Sequence, residues 1–175
     1  MTTVSLADLT ALHEIRELKA QYAFFLDTKN WKEFRRLFTD DMVGKFGEGP
    51  EIAGGQRYAE LAAEAAQTAT TVHHFHEPIL QLTSATTATA SWPVFAYLSY
   101  PDGSQPTTQN YGHYHERYRL TDDGWRITYL HTTFLITDDV TEIHPAEKAT
   151  IPPYVATVQA ARSLHDVEES ASVHQ

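Results

Sequence analysis

From Leu6 to Asp27, apolar side chains recur at Leu12, Ile15, Leu18, Tyr22 and Phe25, in steps of three and four. That spacing predicts an amphipathic helix. Asp8, ahead of Leu9 and Leu12, is expected to cap it. A second, shorter helix is expected to start at Asn30 and to carry Trp31, Phe34, Leu37 and Phe38 until Asp40-Asp41 breaks it. Met42 to Phe46 reads as a short strand and Gly47-Glu48-Gly49-Pro50 as a turn. The Ala-rich stretch from Gln56 to Gln67, behind Gly54-Gly55, reads as a third helix. The period then changes. Thr71 to Thr83 is strand-like, with Pro78 marking a bulge or an edge. From Thr86 to Tyr100 the alternation is clean. Ala88, Ala90, Trp92, Val94, Ala96 and Leu98 share one face; Thr87, Thr89, Ser91, Phe95, Tyr97 and Ser99 share the other. Two further strands are expected, Thr108 to Leu120 and Trp125 to Thr137, joined by the Asp123-Gly124 hairpin signal. Helices first and an antiparallel meander afterwards indicate an α+β fold, a strongly curved sheet with the helices on its concave face. Residues 1–140 are expected to form one domain. Residues 141–175, with Pro145 and Pro152-Pro153, are expected to be a C-terminal extension, partly helical or disordered.

Composition narrows the function classes. The 175 residues suffice for one domain with a real core. The 42% hydrophobic and 21% charged shares are ordinary for a globular chain. Cysteine is absent, which excludes a disulfide framework, a thiolate zinc site and a cysteine nucleophile. A formal charge of −10 argues against nucleic acid and against an anionic membrane as partners. No apolar run approaches a membrane span, and the first residues lack a basic and an apolar segment, so no signal peptide and a cytoplasmic location are expected. Ten histidines, eight Phe, nine Tyr and three Trp suggest an aromatic pocket with proton chemistry.

Histidine placement is the most informative chemical signal. In Thr71-Val72-His73-His74-Phe75-His76 the strand period puts His73 and Phe75 on one face and His74 and His76 on the other. Tyr111, His113, His115 and Arg117 likewise share a face, expected to be the concave one, with Gly112 and Tyr114 outward. The pairs His74/His76 and His113/His115 have a spacing that ligates zinc on a strand. No spacing identifies a third ligand, so no metal is expected. Asp27 closes the first helix in an apolar context, Tyr22-Ala23-Phe24-Phe25-Leu26-Asp27. It reads either as a helix-end turn residue or as a partner that fixes an imidazole tautomer. Tyr22 lies about 140° around an ideal helix from Asp27, so the two converge only where the helix bends or ends. Phosphate loops, nucleophile elbows and His-Glu-x-x-His motifs are absent.

The order Tyr22…Asp27, Thr71-Val72-His73, Gly112-His113-Tyr114-His115-Glu116-Arg117-Tyr118 and Asp123-Gly124-Trp125-Arg126-Ile127 resembles the SnoaL-like branch of the nuclear transport factor 2-like superfamily. The resemblance covers about Leu9 to Thr137. It implies a cone of three helices against a curved, mixed sheet, with a deep apolar pocket and assembly into a homodimer or higher homo-oligomer. Within the superfamily the chain is most similar to the bile-acid dehydratase, hexachlorocyclohexane dehydrochlorinase and scytalone dehydratase group. Those enzymes eliminate water or HCl from apolar rings without a cofactor, using a His–Asp pair. On this resemblance Asp27 takes the place of the helix aspartate, His73 of the sheet histidine and Tyr22 of the tyrosine five residues before the aspartate. Some relatives carry a basic residue on the last strand. Here that strand reads Tyr129-Leu130-His131-Thr132-Thr133-Phe134, and His131, then Lys19, are the substitutes.

The resulting expectation is a cofactor-independent, dehydratase-type lyase acting on a hydrophobic cyclic small molecule. His73 is expected to remove a proton, Asp27 to orient it, and Tyr22 or His113 to donate to substrate oxygen. Phe24, Phe75, Tyr97, His115 and His131 are expected to complete the binding surface. An isomerase or polyketide-type cyclase using the same pair, and a noncatalytic binding module, remain the alternatives. The distance between Asp27 and His73 separates the enzymes from the binding module.

Overall fold

The computed structural model describes residues 4–140. The extension expected over 141–175 lies outside the described residues. Helix α1 (Leu6–Asp27) opens on a capping box. Ser5 Oγ accepts from the Asp8 N–H at 3.1 Å, and the Asp8 carboxylate accepts from the Ser5 N–H at 2.8 Å. Ser5 is therefore the cap, and Asp8 is its reciprocal partner one turn in, where the two satisfy two orphan donors at once. Ile15, Leu18, Tyr22, Phe25 and Leu26 form the buried stripe, and Lys19 lies among them. The helix closes on a Schellman motif. Asn30 N–H donates to the Phe25 carbonyl at 2.8 Å and Lys29 N–H to that of Leu26 at 3.3 Å. Lys29 occupies the left-handed position, φ 61°, where glycine is usual. An L-residue there costs on the order of 1 kcal/mol.

Helix α2 (Trp31–Arg35) is shorter than its sequence pattern implies, because the chain extends at Phe38 to begin β1 (Phe38–Phe46). Asp40 and Asp41 do not break an element. Both side chains are exposed on β1, where they pair with Arg35 and Arg119. A two-residue strand β2 (Ile52–Ala53) leads to α3 (Gly55–Ala66), whose Tyr58, Ala59, Ala62 and Ala66 are buried. The strand expected over 71–83 is two strands, β3 (Thr70–Phe75) and β4 (Ile79–Leu82). Pro78 has no N–H to give a ladder, so pairing stops and resumes. Both strands lie against the same edge of β5 (Thr87–Ser99). The sheet is completed by β6 (Thr108–Thr121) and β7 (Gly124–Asp139).

The strand order is β2-β1-β7-β6-β5-β3, with β4 also on β5. The β1–β7 pair is parallel and the others are antiparallel, so the sheet is mixed, and it is curved and unclosed. Its inner face carries Trp92, Val94, Ala96, Tyr114, Tyr118, Ile127 and Leu130 into one core with Tyr22, Phe25, Phe34 and Tyr58. Strand β7 has two extra residues relative to β6, Thr128 and Leu135. Such bulges reset which side chains face in. Hence Ile127 and Leu130, three apart, are both fully buried.

At the second bulge the β6 backbone comes so close to β7 that a Cβ on Gly112 would lie 2.0 Å from the Thr133 carbonyl oxygen. Backbone on both sides leaves nothing flexible to yield. Gly112→Ala is expected to destabilise the fold by about 3 kcal/mol, the upper range for overpacking, read as a lower urea midpoint at unchanged slope. A midpoint equal to the parent's would show that the two strands separate freely there.

Candidate active site

Asp27, the last residue of α1, meets His73 on β3. The His73 ring Nδ1 lies 2.7 Å from Asp27 Oδ1, and the His73 backbone N–H donates to Oδ2, also at 2.7 Å. A carboxylate accepts only, so Nδ1 carries a proton and donates it to Asp27. The Asp27 side chain is 23% exposed and that of His73 6%. His73 lines a pocket of about 270 Å³. Its ring is thus anchored at Nδ1 while the residue lines the pocket. Tyr22, Ala62, Ala96, Asn110 and Tyr114 share the lining, and half-exposed Phe46 and Phe134 mark the open end. The lining is mainly apolar, with its polar groups concentrated on His73, Asn110 and the two tyrosines. That composition suits a hydrophobic ligand with few oxygens.

Beside this pocket sits a buried ion pair. Lys19 Nζ lies 2.5 Å from Glu116 Oε1, and both side chains are essentially inaccessible. The other Glu116 oxygen accepts from the Tyr118 hydroxyl, which in turn accepts from Trp92 Nε1–H at 2.8 Å. The ammonium faces three rings, Phe75 at 3.8 Å, Tyr22 at 4.2 Å and Tyr114 at 4.3 Å from their centroids. These π faces replace the water that its remaining N–H groups have lost. Burial pulls the Lys19 pKa down to about 8, against the opposing pull of Glu116. Burial also pushes Tyr114 up to about 12 and Tyr22, Tyr58 and Tyr118 well above the usual phenol value. The tyrosines are therefore neutral donors. Tyr22 and Tyr58 share a hydrogen bond of 3.1 Å.

The structure brings together Asp27, His73 and Tyr22, although the Tyr22 hydroxyl faces Tyr58 and not the dyad. Helix α1 is continuous to Asp27, so the two side chains keep separate faces. Strand β6 has the reverse facing from the one expected. Asn110, Gly112, Tyr114, Glu116 and Tyr118 point inward, while His113, His115, Tyr111 and Arg117 lie on the outer face. His115 hydrogen-bonds Ser91 and Thr133 there, and burial lowers its pKa. His131 is also on the outer face, donating from Nε2 to the Gly47 carbonyl at 3.0 Å, and Tyr97 faces outward on β5. Phe75 points inward but packs on Tyr22 and Tyr114 outside the lining, and Phe24 lies on the flank of α1 against Phe25. The reason is energetic. A period of two leaves two choices, and the face with Tyr114 and Tyr118 buries more apolar surface than the one with two histidines and an arginine. A second signal was Lys19 itself, a cation on the apolar stripe of α1 that needs an inward carboxylate. Among the described residues, no group of three or more His, Asp or Glu is placed to hold a metal ion.

Two outcomes follow from the buried charges. Lys19→Met strands Glu116 and is expected to cost about 3–5 kcal/mol, while adding Glu116→Leu recovers most of that loss in chemical melts. A double variant no more stable than the single would show that the pair is not mutually dependent. The four buried tyrosines have folded pKa values above the unfolded value of 10.0. Their contribution is fully present below pH 10 and is lost above it, where only the unfolded chain releases the protons. Melts taken from about pH 8 to about pH 11 are expected to fall steeply above 10. A flat profile would mean that these hydroxyls ionise in place.

The comparisons with known proteins agree with this architecture. A scytalone dehydratase-like protein of Novosphingobium aromaticivorans is 21% identical, covering 82% of this chain and 98% of that one, with a TM-score of 0.70. The hexachlorocyclohexane dehydrochlorinase LinA-type3 of Novosphingobium barchaimii is 15% identical over 82% and 99%, with a TM-score of 0.72. The Kfla4162 protein of Kribbella flavida is 24% identical over 74% and 93%, with a TM-score of 0.68. At these identities the likeness is one of fold. No helix of the described residues is long and apolar enough to cross a membrane. The model of the SnoaL-like domain matches residues 7–131, nearly the whole of the described fold, and the chain belongs to the SnoaL-like family of nuclear transport factor 2-like proteins.

Proposed function

We propose that the protein is a dehydratase-type lyase acting on a hydrophobic, cyclic, hydroxylated small molecule, with the His73–Asp27 pair as its acid–base machinery and no cofactor. The observation that carries this reading is the doubly anchored histidine, with its backbone N–H and its Nδ1–H both committed to Asp27 and its side chain on the pocket lining. Nε2 takes a proton from a carbon next to a carbonyl group. Asp27 stabilises the imidazolium that results. The electron pair forms the new carbon–carbon double bond as the carbon–oxygen bond of the hydroxyl breaks. The imidazolium returns its proton to the departing oxygen, so water leaves and His73 is regenerated. The neutral hydroxyl of Tyr114 supplies a hydrogen bond to the carbonyl oxygen as charge develops there. Tyr114 takes the donor role that the sequence pattern assigned to His113. The dehydratase and dehydrochlorinase names among the structural relatives agree with an elimination. The cytoplasm and a homo-oligomeric assembly belong to the same proposal.

A panel of cyclic hydroxyketones, followed by mass spectrometry, tests it. At least one is expected to yield a product lighter by one water. On that compound His73→Ala and Asp27→Asn are each expected to lower kcat by about 10²–10⁴-fold. Tyr114→Phe is expected to cost on the order of 10²-fold, and His113→Phe nothing measurable. Undiminished turnover by His73→Ala removes the histidine from the chemistry. A product of unchanged mass makes the protein an isomerase, and tight binding without turnover across the panel makes it a binding module.

A further inference from the structure

Lys29 is the one non-glycine residue with positive φ among the described residues. It stands at the position of a Schellman motif where glycine would close the helix without strain. A conformation of that kind persists where the surroundings hold it. The Schellman bonds set the backbone here, and the side chain, half-buried, adds a second restraint: its Nζ donates to Thr71 Oγ1 at 2.7 Å. Thr71 is buried on β3. The spacing is informative. Asp27 and Lys29 lie two apart at the end of α1, and His73 and Thr71 lie two apart on β3. The Asp27–His73 and Lys29–Thr71 bonds are therefore neighbouring rungs between the same two segments, running in opposite chain directions. Two residues apart on a strand also means the same face, so Thr71 and His73 both point toward the helix end. The ammonium also interacts favourably with the Asp27 carboxylate and lies 5.9 Å from the Trp31 ring centroid.

We propose that Lys29 is a positioning residue for the His73–Asp27 pair: its tether to Thr71 fixes the end of α1 against β3, so that the Asp27 carboxylate faces both N–H groups of His73 at once. A glycine at this place would cap the helix equally well and leave the junction free to swing. The strained lysine supplies the second rung. The inference rests on the dyad reading of the site and adds a residue that touches neither substrate nor the reacting atoms.

The test is nuclear magnetic resonance of the full chain labelled with ¹⁵N-histidine, following exchange of the His73 Nδ1 proton with water. Backbone amides of Ile127 and Leu130 in the core serve as the internal reference. Lys29→Gly, Lys29→Met and Thr71→Val are each expected to speed Nδ1–H exchange by about tenfold or more, with the reference amides unchanged. Lys29→Gly is the decisive variant, because it relieves the backbone while removing the tether. Wild-type exchange in Lys29→Met and Thr71→Val overturns the proposal. So does an equal acceleration at His73 and at the core amides, which would make the contact a general stabiliser. A wild-type chain with no protected Nδ1 proton overturns the dyad reading itself. A protected proton indifferent to all three variants overturns only the role of Lys29.

Discussion

The Asp27 carboxylate accepts from two donors of a single residue, the backbone N–H and the ring Nδ1–H of His73, each at 2.7 Å. The first bond places strand β3 against the end of α1, and the second sets the tautomer of the ring. Position and chemistry are thus coupled through one side chain. Everything else at the site depends on where that carboxylate stands. The Schellman closure of α1 stops the helix at the right turn, the capping box at Ser5 anchors its other end, and the apolar stripe keeps its roll. A helix rotated by one residue would carry Asp27 away from β3, because successive side chains are about 100° apart.

The second constraint is the buried Lys19–Glu116 pair. Removing two charges from water is expensive, and their mutual attraction repays it only where the remaining donors and acceptors are satisfied. Here they are satisfied by Tyr118, whose hydroxyl Trp92 holds in turn, and by three aromatic faces. Those rings include Tyr22 and Tyr114, which line the pocket, and Phe75, which stacks on His73 at 6.4 Å. The ion pair therefore fixes the wall from which the proposed donor, Tyr114, acts. The same burial that depresses Lys19 keeps the tyrosine protons in place, so the wall offers hydrogen bonds without offering a competing base.

Family membership and fold account for the presence of a pocket, and they stop short of a reaction, because one scaffold hosts many chemistries. The particular residues carry the functional argument. A single anchored imidazole in a mainly apolar cavity suits proton transfer at carbon on a hydrophobic ligand. On the outer face His115 is engaged with Ser91 and Thr133, His131 with the Gly47 carbonyl, and the His113 ring stacks on that of His115, so all three belong to the sheet surface.

Local patterns were legible wherever one element answers to its own sequence. The stripe of α1, the alternation of β5, the Asp123-Gly124 turn and the α+β order follow from spacing and turn chemistry alone. Asp27 was legible as a candidate because a carboxylate in an apolar helix end is costly; His73 stood among five histidines on two predicted strands, and the resemblance to the SnoaL-like branch singled it out. What the chain alone left open was which of two equivalent faces of β6 turns inward. Alternation has no sign, and the sign was set by Lys19 on another element, which requires Glu116 and with it Tyr114 and Tyr118. The sequence by itself determined most of the elements and their periods, and offered Asp27 and His73 as candidates. Only the tertiary structure decided the 2.7 Å meeting of Asp27 and His73, the tether of Lys29 and the burial of Glu116, because each depends on partners 42 to 97 residues away.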